Sequence, residues 1–128
     1  MSSRRIDIHH HIFTSSVTSF KLNANPGLGW RTPAENLPWS PERSLAFMDA
    51  TGIDTAILSY PTSVFHGLPG PETCAKAREL NATAARICKE HPGRFGFLAA
   101  LPDPRDIVGG CIPVIQLVLT SELTVIPM

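Results

Sequence analysis

The stretch RRIDIHHHIF, residues 4–13, decides how the rest of the chain is read, because it sets an aspartate and three consecutive histidines in a short apolar run. In a β-strand, side chains alternate between faces. Asp7, His9 and His11 are therefore expected on one side, and Ile6, Ile8, His10 and Ile12 on the other. With the isoleucine face packed under a helix, the imidazoles of His9 and His11 stand about 6.6 Å apart along the strand and lean toward one point. Two imidazoles so placed suit a shared metal ion. His10, on the helix side, is expected to be structural.

Outward from this stretch the signals run strand, long loop, helix, strand, loop, helix, strand, the alternation of a parallel sheet with helical crossovers. Strand one is expected over 5–12. Residues 13–39 carry NPGLGW and TPAENLPW without a sustained period, so they read as one large loop of the kind that usually carries function. Helix one starts where Ser40 caps, Pro41 fits the first turn and Glu42 meets the positive end of the dipole, and it stops at Gly52. IDTAILS, 53–59, bounded by Pro61, is a buried strand. After a loop at 60–70, a helix opens at Pro71 and Glu72 and places Ala77, Leu80, Ala84, Ile87 and Cys88 on one face. Pro92 and Gly93 end it, and FGFLAAL, 95–101, supplies strand three.

The chain has 128 residues, zero formal net charge and 17% charged residues, the composition of one ordinary folded domain. No basic stripe offers a footprint for nucleic acid or an anionic membrane. The N-terminus lacks the apolar run of a signal peptide, so a cytoplasmic protein is expected. Three cysteines, Cys74, Cys88 and Cys111, with no C-x-x-C pair argue against both a disulfide framework and a thiolate zinc site. Residues 107–128 differ in texture: apolar bursts too short for a membrane span, split by Thr120, Ser121 and Glu122. They are expected to form a divergent apolar tail beside a unit at 1–106.

DIHHH after an opening strand resembles the D-x-H-x-H signature of the amidohydrolase superfamily. WSPERSLAFMDATGIDTAILS, 39–59, and HPGRFGFLAALPDP, 91–104, resemble one branch of its amidohydrolase-related (amidohydrolase 2) family. That branch holds the decarboxylases akin to aminocarboxymuconate semialdehyde decarboxylase and 6-methylsalicylate decarboxylase. The resemblance runs from residue 5 to about residue 106, with three motifs in order. It implies an α/β fold, the TIM or (β/α)₈ barrel of metal-dependent hydrolases, of which this chain supplies three strands and two helices.

It also implies that His9 and His11 bind a divalent metal, commonly zinc, at the C-terminal mouth. Asp7, expected on the same face, either orients a ligand from behind it or is a strand aspartate satisfied by backbone donors. In the family a histidine and an aspartate from later strands complete the metal, and another late histidine moves protons. The chain stops before them, so the resemblance implies an incomplete barrel that is inactive alone. A family arginine in the long first loop holds the substrate carboxylate; Ala34 falls at that place, leaving Arg31 and Trp30 as candidate substrate contacts. His66 shares the metal end of the barrel, and His91 is expected to cap its helix. The expected activity is metal-dependent decarboxylation or hydrolysis of a small aromatic or unsaturated carboxylic acid. The alternative is a non-catalytic truncated pseudoenzyme or interaction module, whose open strand edges would favour a homo-oligomer.

Overall fold

A computed structural model describes residues 4–14, 38–61, 65, 68 and 70–101. The elements are β1 (Ile6–His11), α1 (Pro41–Thr51), β2 (Thr55–Ser59), α2 (Gly70–Glu90) and β3 (Phe95–Phe97). The strands lie in the order β1-β2-β3, and both pairings are parallel. This is the expected arrangement of successive crossovers. The expected 106/107 boundary and the tail at 107–128 lie outside the described residues.

Each helix ends where its sequence dictates. The Ser40 side chain accepts from the Arg43 amide at the start of α1, and Gly52 closes it in the left-handed region at φ 71, its amide donating to the Met48 carbonyl. Along α2, Cys74, Ala77, Leu80, Asn81, Ala84 and Ile87 are buried, so the stripe read from the sequence does face the sheet. Among the described residues no helix is long and apolar enough to cross a membrane.

The helices meet the sheet through one cluster of Ile12, Met48, Ala56, Leu58, Ala84, Ile87 and Phe95. Phe13 and Leu80 form a second, and Trp39 and Tyr60 pack against both. The Tyr60 hydroxyl donates to the Leu80 carbonyl at 3.0 Å, joining the chain after β2 to α2. Cys74 is disulfide-bonded, where the odd cysteine count argues against a disulfide framework. Cys88 is free, and burial pushes its thiol up to about 11.

Two strands differ from expectation. β3 is three residues long rather than seven, because its partner runs out. The ladder ends with the Leu98 amide donating to the Leu58 carbonyl at 2.9 Å. Beyond it the Asn81 side chain takes over the pairing: its Oδ1 accepts from the Ala100 amide at 2.8 Å, and its Nδ2 donates to the Ala100 carbonyl at 3.0 Å.

In β1 the even alternation fails. Asp7 pairs with Ala56 and His10 with Leu58, so three steps on β1 oppose two on β2. The extra residue switches parity, and Asp7 falls on the face of His10 rather than that of His11. The expected isoleucine face is not formed: Ile6 is 52% and Ile8 75% exposed, and only Ile12 is buried.

This burial map predicts opposite outcomes for two truncations read by urea denaturation. Leu58→Ala, in the core, costs about 2–5 kcal/mol, whereas Ile8→Ala stays within about 0.5 kcal/mol of the unaltered chain. Equal losses would contradict the placement of β1.

Candidate functional site

Parallel pairing brings the carboxyl ends of β1 and β2 together, and there His11 stands opposite Ser59. His11 Nδ1 lies 3.1 Å from Ser59 Oγ and 3.4 Å from the Ser59 carbonyl oxygen. A carbonyl only accepts, so a proton on Nδ1 serves both oxygens and the lone pair falls on Nε2. The His9 ring meets His11 edge-on, with centroids 4.7 Å apart at 71°. The rings of His9 and His11 thus lie against each other at this end of β1.

His10 turns the other way, toward α1. Its Nδ1 lies 3.0 Å from Asp7 Oδ2 and its Nε2 2.8 Å from Ser44 Oγ. Ser44 also accepts from the Trp39 indole N–H at 3.0 Å. One arrangement of protons satisfies every group: Trp39 donates to Ser44, Ser44 to His10 Nε2, and His10 Nδ1–H to Asp7. In that arrangement the Asp7 carboxylate is the acceptor at the end of the series.

Asp7 turns its other oxygen to the backbone, where Oδ1 accepts from the His9 amide at 3.0 Å. Burial works to raise the Asp7 carboxyl. The hydrogen bonds from the His10 ring and the His9 amide, with the attraction of both imidazoles, outweigh it and hold the group below the usual carboxylate range. Asp7 thus bonds the backbone amide of His9 and the ring of His10, and the parity switch in β1 sets it on the face of His10.

An open cleft of about 420 Å³ borders β1, walled by His9, His11, Phe13, Trp39, Arg43 and Phe47, with Asp7, His10 and Ser44 also lining it. Arg43 is anchored by donation to the Pro38 carbonyl at 3.0 Å. The donor chemistry at the cleft suits a divalent metal, since two imidazoles converge and Ser59 fixes the tautomer of one. Among the described residues, no group of three or more His, Cys, Asp or Glu side chains gathers to hold an ion.

Trp30, Arg31 and His66 lie outside the described residues. His91, at the end of α2, sets its ring edge-on against Phe95 at 5.7 Å. The sequence reading missed Ser44, although a signal was present. Ser44 lies one helical turn before Met48 on the buried stripe of α1, and a serine there calls for a polar partner.

The lowered Asp7 carboxyl makes a signed prediction for the metal-free chain. A depressed folded-state pKa contributes stability that is present above the unfolded value, near pH 4, and is lost as pH falls through the folded value. The urea midpoint of the unaltered chain therefore drops more steeply below about pH 4 than that of Asp7→Asn. Parallel curves would contradict the contacts assigned to Asp7.

No family model matches the chain. In sequence it is similar to the decarboxylase yanB of Aspergillus niger, 42% identical over 102 residues covering 77% of this chain and 26% of that protein. It is likewise similar to the 6-methylsalicylic acid decarboxylase acuB of Aspergillus aculeatus, 31% identical over 107 residues covering 77% of this chain and 29% of that one. In backbone it matches an amidohydrolase II crystal structure with a TM-score of 0.77 at 27% identity, covering 91% of this chain and 37% of that one. A dihydroxybenzoic acid decarboxylase from Polaromonas sp. JS666, solved with manganese and the inhibitor 2-nitroresorcinol, matches with a TM-score of 0.63 at 26% identity, covering 79% and 31%. The chain spans under a third of the length of these curated relatives. By sequence and by backbone it is a relative of the amidohydrolase-fold decarboxylases, matched over part of their barrel.

Proposed function

We propose that the chain carries the opening, metal-binding part of a divalent-metal-dependent decarboxylase for a small aromatic carboxylic acid. The observation that carries this reading is the convergence of His9 and His11 at the carboxyl end of β1, the end at which barrel enzymes place their chemistry. Relatives named for decarboxylation of aromatic acids support it. Zinc is the ion we assign, from the imidazole donors.

In this reading His9 and His11 hold the ion, and Ser59 keeps His11 in the tautomer whose Nε2 bears the lone pair. A bound divalent ion supplies Lewis-acid polarisation of substrate oxygens. Phe13, Trp39 and Phe47 wall the cleft with aromatic surface suited to a benzenoid ring, and Arg43 brings a cation to its rim. Trp30 and Arg31 remain the proposed substrate contacts from the first loop. Catalytic zinc takes three protein ligands, so two imidazoles hold it weakly. A non-catalytic interaction module is the competing reading, and the exposed Ile6 and Ile8 on β1 favour it.

Zinc uptake and carbon dioxide release separate the two. The unaltered chain takes up zinc that dialysis removes, and His9→Ala or His11→Ala lowers its affinity at least about tenfold. Unchanged uptake in those variants would contradict the metal reading. Carbon dioxide release from hydroxylated benzoates, lost in His11→Ala, supports the decarboxylase; failure of the unaltered chain to take up zinc favours the interaction module.

A further inference from the structure

Between the two candidate ligands stands a third histidine that takes no part in the reading above, yet it is the most thoroughly held of the three. His10 is fixed at both ring nitrogens, by Asp7 Oδ2 at 3.0 Å and by Ser44 Oγ at 2.8 Å. Ser44 is itself fixed by the Trp39 indole at 3.0 Å. The chain of contacts crosses three places in the fold: β1, the buried face of α1, and the residue just before the α1 cap.

Its position coincides with the irregularity of β1. Between Asp7 and His10 the strand uses three steps where β2 uses two, so Ile8 and His9 have no one-to-one partners on β2. An unpaired residue in a strand needs another restraint to keep one conformation. Asp7 supplies it with both oxygens, Oδ1 to the His9 amide and Oδ2 to the His10 ring, which closes the irregular segment on itself.

Alternation does the rest. With His10 pinned to the helix face, its neighbours His9 and His11 project from the opposite one.

We propose that the Asp7–His10–Ser44–Trp39 chain is a positioning device for the metal pair, locking the irregular segment of β1 so that His9 and His11 converge. This rests on the metal reading of His9 and His11. The order Asp, His, Ser is also that of a nucleophilic triad, but Ser44 is only 5% exposed and its oxygen accepts from Trp39. The hydroxyl holds rather than attacks.

The test is zinc titration of the metal-free chain, followed by the ring-proton shifts of His9 and His11. Ser44→Ala and Trp39→Phe weaken zinc binding about tenfold to a hundredfold, while helix content and the cooperative transition are retained. Ser44→Thr, which keeps the hydroxyl, restores affinity. The double variant Ser44→Ala with Trp39→Phe is no weaker than Ser44→Ala alone, because the two act in series. If Ser44→Ala does not fold, Trp39→Phe carries the test, since it removes the donor while keeping an aromatic ring at the same place, at the cost of part of the indole's packing. Unaltered affinity in folded Ser44→Ala and Trp39→Phe overturns the positioning role alone. Absence of zinc-induced shifts in the unaltered chain overturns the metal reading and, with it, this inference.

Discussion

The hydrogen-bonded hold on His10 is the constraint from which the geometry of the site follows. A regular strand would have placed Asp7 with His9 and His11, leaving the aspartate beside the candidate ligands. Three steps on β1 against two on β2 move it to the helix face, where it meets His10. The same displacement turns Ile6 out of the core and leaves Ile12 to anchor the strand. One inserted residue thus divides the strand into a polar clamp toward α1 and a pair of imidazoles away from it.

The clamp works because the scaffold around it is fixed independently. α1 is held in register by Ser40 at its start and Gly52 at its end, so Ser44 cannot slide relative to β1. Below it Met48, Ala56, Leu58 and Ile87 close the main cluster, and Arg94 ties β3 back by donating to Asp49 at 2.6 Å and to the Asp54 carbonyl at 3.1 Å. An exposed ion pair of this kind contributes little energy. The apolar cluster carries the packing, and the polar contacts choose which way residues face.

Much of this was legible in the sequence. Local chemistry determines where α1 starts and stops, and the spacing of Ala77, Leu80, Ala84 and Ile87 determines which face of α2 is buried, so both could be read from residues a few positions apart. The approach of the His9 and His11 rings survived the irregular strand, although His9 lies within the irregular segment and only His11 keeps a partner on β2, Ser59. The partner of Asp7 did not survive, since counting by twos assumes a regular ladder and only the pairing with β2 shows the break. The length of β3 was illegible for a related reason: FGFLAAL is apolar throughout, but Asn81, on a different element, withdraws Ala100 from the sheet. Ser44 offered a readable signal, whereas its partner His10 did not, because the contact spans 34 residues of sequence.

The most direct measurement of the central claim is a nuclear Overhauser experiment on the metal-free chain with assigned histidine rings. Cross-peaks between the rings of His9 and His11, together with a His10 ring close to the side chains of Ser44 and Trp39, are the predicted result. A His10 ring close to Ser59, or His9 and His11 rings without mutual contact, would contradict the account.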